Sequence, residues 1–278
     1  MLHCARRGEI MYDRTNCTSN RTLALGTESP PYSTVMHGFT FTLLGVAATA
    51  PAPPFSLVAV GDWGGDGDLF PTTIAQVKAA KGMAQVAADI GAVGVLLLGD
   101  NFYYNGVKEV SSPRFKKTFE DVYTPNAFNN LPFHVIAGNH DWKGNVHAQI
   151  QYSAHDKRWH FPSLYYTLSY NFTASDGGRR TIDLLMIDTV GLAGNSDDVC
   201  KGCELRGPAD PPSAEVQWAW LSRHLNTSTA DFLWVAGHYP IYSAGQDGTT
   251  KLFVERLLPM LKVRDLPPSP AISHSHLP

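Results

Sequence analysis

The chain of 278 residues has only 4 cysteines, and no pair of Cys-x-x-Cys motifs stands at zinc spacing. A disulfide-dense scaffold and a structural zinc site are therefore excluded. No block of like charge occurs either. The 22 Lys+Arg stand against 25 Asp+Glu, a net of −3, so the long-range attraction that nucleic-acid binders and membrane-surface proteins usually carry is missing. There is no internal repeat, and the apolar run at 39–50 is too short to span a bilayer. What is present is 44% hydrophobic residues, enough for the core of one large domain or two small ones.

Residues 1–52 read as a polar extension followed by a signal peptide. Met1 to Thr34 is polar and lacks periodicity, whereas Phe39 to Ala50 forms a short apolar h-region ending in small residues. Pro51 follows Ala50, which favours cleavage after Ala48. An h-region that begins at residue 39 is late when counted from Met1, which points to Met36 as the alternative start; a flexible tail is the competing reading. The triplets at Asn171 and Asn226 are glycosylation sequons. Together these features point to a secreted or lysosomal protein without a stable membrane anchor. Cys4 and Cys17 would leave with the leader.

Residues 53–262 alternate short apolar runs with longer amphipathic ones, the rhythm of an α/β domain. Strands are predicted at Phe55 to Gly61, Ala92 to Gly99, Phe133 to Gly138, Tyr165 to Tyr170, Thr181 to Ile187 and Asp231 to Ala236. Helices are predicted at Thr72 to Ile90, with Ile74, Val77, Met83, Val86 and Ile90 near one apolar face, and at Pro113 to Tyr123, with Phe115, Phe119 and Val122 inward. Two more follow at Ala214 to Leu225 and Thr249 to Leu261. Prolines from Pro267 onward break the pattern, and 263–278 reads as a separate tail.

Four predicted strands end in the same grammar, an apolar run, a glycine and then polar residues: Gly61-Asp62-Trp63-Gly64-Gly65, Gly99-Asp100-Asn101-Phe102-Tyr103, Gly138-Asn139-His140-Asp141 and Gly237-His238-Tyr239-Pro240. Ligand sites in open α/β sheets lie beyond the carboxyl ends of strands. Asp62, Asp100, Tyr103, Asn139 and His238 would bring carboxylate, phenolate, amide and imidazole donors to one place, a mixture suited to hard or borderline metal ions. Taken singly, each has an ordinary explanation as a cap, a turn residue or a packed ring. Their joint occurrence after four strands favours a metal site.

In this order and at these intervals, GDWGG, GDNFY, GNHDW and AGHYP resemble the metallophosphoesterase superfamily, specifically the purple (tartrate-resistant) acid phosphatases of the small animal type. The resemblance covers about residues 55–262, with Gly194-Asn195-Ser196-Asp197-Asp198 as a further match. It implies an α/β fold, a calcineurin-like sandwich of two mixed β-sheets flanked by helices, the second sheet incomplete here. It also implies hydrolysis of a small phosphomonoester or a phosphoprotein, by a monomer with no nucleic-acid partner. Most superfamily members open with Asp-x-His; here Gly64 occupies the histidine position and Tyr103 fills the gap, which favours Fe(III).

By the same resemblance Asp62 and Tyr103 would bind the ferric ion, Asp100 would bridge, and Asn139 and His238 would bind a divalent ion, Fe(II) with zinc or manganese as alternatives. Fe(III) and a divalent ion bring five positive charges against four from Asp62, Asp100, Tyr103 and one hydroxide, leaving about one to attract a phosphate dianion. A ferric ion keeps bound water ionised at low pH, hence an acid optimum. His140 would protonate the leaving alkoxide or hold the phosphoryl group, with Asp141 orienting its ring. Asp247 stands where animal members carry a second histidine. The family's Gly-His-x-His motif is not recognisable, and Ser273-His274-Ser275-His276 lacks its glycine and strand context, so impaired turnover is expected. Cys200 and Cys203 read as a local disulfide in a surface loop rather than a redox motif. The competing readings are another metallophosphoesterase and a product without enzymatic role.

Overall fold

The computed structural model describes residues 2–6, 9–11, 55–124, 126–196, 205–244 and 248–263. The signal segment at 39–50, Asp197, Asp198, Cys200, Cys203, Asp247, His274 and His276 lie outside them.

Two sheets stack over a shared core, and a second core lies on the outer face of one of them. The first is wholly parallel, ordered β3-β4-β5-β6, from Val58–Val60 (β3), Val95–Leu98 (β4), Phe133–Ile136 (β5) and Trp159–His160 (β6). β4 is apolar throughout and β5 is apolar but for His134, and all their residues except the half-buried Leu98 are buried, as strands covered on both faces are. The second sheet is mixed, ordered β2-β1-β9-β8-β7. It comprises Leu2–Arg6 (β1), Glu9–Met11 (β2), Tyr166–Thr173 (β7), Arg179–Met186 (β8) and Phe232–Ala236 (β9). β7 and β8 pair antiparallel, β8 and β9 parallel, and β1 lies antiparallel along the other side of β9.

Strand alternation in the mixed sheet separates two cores. Tyr166, Leu184, Met186 and Ala236 face the parallel sheet and join Phe102, Phe115, Phe119, Phe133 and Trp159. Leu185, Leu233 and Val235 face the other way, against Trp218 and Leu221 of the helix Pro211–Thr227 and Phe253 and Leu257 of the segment after Thr250. That helix starts on Asp210, whose side chain accepts from Ser213 N, with proline in its first turn. Among the described residues no helix is long and apolar enough to cross a membrane.

The six predicted strands and the helices beginning near 72 and 214 are present. The face of the first helix, Ile74–Asp89 (α1), is a correction. Its buried side carries Gln76, Ala80 and Ala87, while Ile74, Val77, Val86 and Ile90 are exposed. Small residues let α1 lie close to the sheet, and Gln76 Nε2 donates to Thr118 O at 2.8 Å, a polar anchor that periodicity cannot rank. The segment from Phe115 to Glu120 is a π-helical turn. β1 and β2 arise where the sequence shows no strand pattern; β1 gains its backbone partners from β9 rather than from propensity.

Candidate metal centre

Four of the five predicted donors sit two or three residues beyond a strand, and Tyr103 follows three residues after Asp100. Asp62 follows β3, Asp100 follows β4, Asn139 follows β5 through Ala137 and Gly138, and His238 follows β9. Three strands belong to one sheet and the fourth to the other, yet Asp62, Asp100 and His238 each bring one ligand atom within 4.8 Å of the others. Tyr103 joins them by donating its hydroxyl to Asp62 Oδ1 at 2.9 Å. Asn139 joins through Oδ1, 3.0 Å from His238 Nε2.

The backbone is bent to bring this about. Asp62 and Asp100 both adopt left-handed φ, 57° and 53°, a conformation costly for residues other than glycine and typical of functional turns. Asp62 N bonds Gly99 O at 3.1 Å, and Tyr103 N bonds Gly64 O at 3.1 Å. A Cβ on Gly64 would stand 2.5 Å from the backbone of Asn101 and Phe102. No histidine fits there, which is why this first motif departs from Asp-x-His.

The acceptors converge without donors to match. His238 Nδ1 lies 2.8 Å from Leu98 O; a carbonyl only accepts, so Nδ1 carries the proton. In the neutral ring Nε2 is then an acceptor, and it faces Asn139 Oδ1 at 3.0 Å and Asp100 Oδ1 at 3.5 Å. Acceptors facing one another in this way are satisfied by a further proton, by a turned Asn139 amide or by a cation, and the last also uses the nearby Asp62 and Asp100 carboxylates. The backbone contact of the far nitrogen is also what fixes a ligating imidazole. Burial first, then the charges of Asp100 and Asp62, push the Tyr103 phenol well above its ordinary value, so the carboxylates oppose its ionisation until positive charge is supplied. The donor set therefore fits a cation pair.

His140 stands beside this cluster. Its backbone N–H donates to Asp100 Oδ1 at 3.0 Å, its Nδ1 meets Tyr104 O at 2.7 Å, and its Nε2 lies 3.9 Å from Asp100 Oδ2. Asp141 does not orient the ring. Its buried carboxylate accepts from Asn101 N at 3.1 Å, Phe102 N at 3.2 Å, Gly138 N at 2.8 Å and Gln149 Nε2 at 2.9 Å. It fastens the second and third turns together, and burial, with the Asp100 charge next, raises its carboxyl to about 6.

Two further residues hold the site, and neither stands in a motif. Buried Arg114 donates to Tyr103 O at 2.8 Å and Gly64 O at 2.7 Å, lacing the first two turns. Asp188, just past β8, caps the short helix Thr189–Ala193 and accepts from Trp142 Nε1 at 3.1 Å; burial lifts its carboxyl to about 6. A lone arginine in an amphipathic segment gives no signal; an aspartate after a strand gives a weak one. Asn195, from the further matching stretch, donates to Asn139 O at 3.2 Å, and Ser196 N bonds the Tyr239 hydroxyl at 3.0 Å.

The calcineurin-like phosphoesterase profile matches residues 55–266. This chain belongs to that family, in its purple acid phosphatase branch. Tartrate-resistant acid phosphatase type 5 of Mus musculus is 44% identical over 77% of this chain and 64% of its own length, and that of Rattus norvegicus 44% over 82% and 69%. The chain thus spans about two thirds or less of the length of most such relatives. Among solved structures, "GAP50 the anchor in the inner membrane complex of Plasmodium" superposes with a TM-score of 0.62 at 28% identity, covering 76% of this chain and 62% of that one.

Proposed function

We propose that this chain is an acid phosphatase that hydrolyses phosphate monoesters at a binuclear centre of Fe(III) and a divalent ion. The observation that carries the reading is the convergence of Asp100, Asn139 and His238 acceptor atoms beside the Tyr103–Asp62 pair. Asp62 and Tyr103 would hold one cation and Asn139 and His238 the other, with Asp100 placed to serve both. When bound, the cations draw in the phosphate dianion and polarise the attacking water.

The chain's own residues do the rest. Asn139 donates no charge, so the centre keeps net positive charge for its substrate. His140, with Nδ1 tied to Tyr104 O, presents Nε2 to the site, where it hands a proton to the leaving alkoxide. Tyr104, half-exposed and 5.8 Å from the His140 ring centroid, borders the leaving-group side. The substrate is a small phosphomonoester or an exposed phosphoprotein residue, the protein acts as a monomer, and a leader directs it to secretion or the lysosome.

Metal titration with an aryl phosphate assay at acid pH tests this. The expected result is two bound metals, one ferric, with a violet phenolate band that Tyr103→Phe abolishes and turnover that His140→Ala lowers roughly 10²-fold or more. Zinc or manganese uptake without colour supports a different phosphoesterase. No metal uptake overturns the enzyme reading in favour of a non-enzymatic product.

A further inference from the structure

Among the described residues, the three most exposed large apolar side chains fall within six positions: Leu69 at 89%, Ile74 at 77% and Phe70 at 63%. Scattered apolar exposure is ordinary; a cluster at this degree of protrusion is not. They lie on the approach to α1, whose buried side is turned to Gln76, Ala80 and Ala87. Lys78 and Lys81, four and seven residues after Ile74, share its outward side and are exposed. Lys117 is brought alongside, because Thr72 Oγ1 donates to Lys117 O at 2.6 Å. Of the loop's acids, Asp62 belongs to the candidate centre and Asp66 accepts the Tyr104 hydroxyl, while Asp68 pairs with the buried Arg114 at 3.1 Å but keeps most of its side chain exposed, so the basic border of three lysines outweighs a single nearby free carboxylate.

We propose that this tip, Leu69, Phe70 and Ile74 ringed by Lys78, Lys81 and Lys117, docks reversibly on an anionic lipid bilayer. An apolar wedge with a basic border matches the interfacial region of such a membrane, where side chains enter the acyl boundary and lysines meet the headgroups. A protein partner fits less well. Three side chains offer on the order of 400 Å², about half of what one side of a stable protein interface needs. A bilayer demands neither area nor shape. The overall charge of −3 supplies no long-range steering, so the contact is short-ranged and weak. The loop is tied through Asp66 and Tyr104 to the segment bearing Tyr103, so docking sets the candidate centre beside the lipid surface.

Vesicle sedimentation of the full chain tests this, with phosphatidylcholine vesicles against vesicles containing about one third phosphatidylserine. The expected result is measurable partition into the anionic vesicles only. Leu69→Ser/Phe70→Ser/Ile74→Ser lowers it at least tenfold, and Lys78→Glu/Lys81→Glu lowers it several-fold, with thermal unfolding of both variants matching the parent. Absence of partition, or partition unchanged in the serine variant, overturns the proposal. So does concentration-dependent self-association that the serine variant abolishes while vesicles stay unbound, which would assign the tip to a second copy of this chain. None of these readouts requires metal or turnover.

Discussion

Two buried side chains carry charge logic that their neighbours decide. Asp141 accepts from three backbone N–H groups drawn from two turns, so Asp141→Leu leaves those donors buried and unmatched. A loss of about 3–5 kcal/mol is expected by urea unfolding, with metal uptake falling alongside. His134 lies between the sheets, Nε2 on the Tyr170 hydroxyl at 2.7 Å, His160 packed edge-on at 5.2 Å and Nδ1 without a partner. Burial, and then the His160 charge, lowers its imidazole to about 4. The folded state therefore binds this proton less readily than the unfolded chain does, so stability is full above pH ~6.5 and drains as pH falls toward 4. His134→Gln should flatten about 3 kcal/mol of that slope when unfolding is followed across this range. Both effects belong to the folded environment. The sequence around Asp141 suggested a partner for His140, because adjacency in a motif says nothing about which way a carboxylate turns.

Turns rather than strands decide the site. A Cβ on Gly138 would stand 2.2 Å from Asp100 Oδ1 and 2.4 Å from Asp100 N, so the third turn can pass the second only as glycine. Gly138→Ala is expected to cost about 1–3 kcal/mol and to weaken metal binding at least tenfold by displacing Asp100, read by calorimetric titration and thermal melts. The strand-then-glycine grammar made the meeting of the five candidate donors and His140 legible, because buried strands and sharp exits both leave strong local marks. Arg114 left none. Its task, bonding the carbonyls of Gly64 and Tyr103, depends on contacts across 50 and 11 positions. The face of α1 was misread for a related reason. Apolar periodicity assumes that the largest side chains go inward, and here close approach to the sheet selected alanines while Ile74 and Val77 were left outside.

At the scale of the molecule, the α/β order was legible because the strands and helices of residues 55–262 follow local patterns. The partition into a parallel and a mixed sheet was not, since it rests on pairings such as Ile182 with Phe232 that no local pattern encodes. The least legible pairing is that of Leu2–Arg6 with Phe232–Ala236. Deleting residues 1–48 should leave the Phe-Leu-Trp-Val-Ala strand as an outermost edge. Its amides are then expected to exchange hydrogen faster, measured by mass spectrometry on the peptide covering 232–236, while those of Val95–Leu98 keep their protection. That strand delivers His238. Loss of the Leu2–Arg6 pairing would thus loosen the backbone support of one candidate ligand, and a chain lacking residues 1–48 is expected to take up metal more weakly than the full chain.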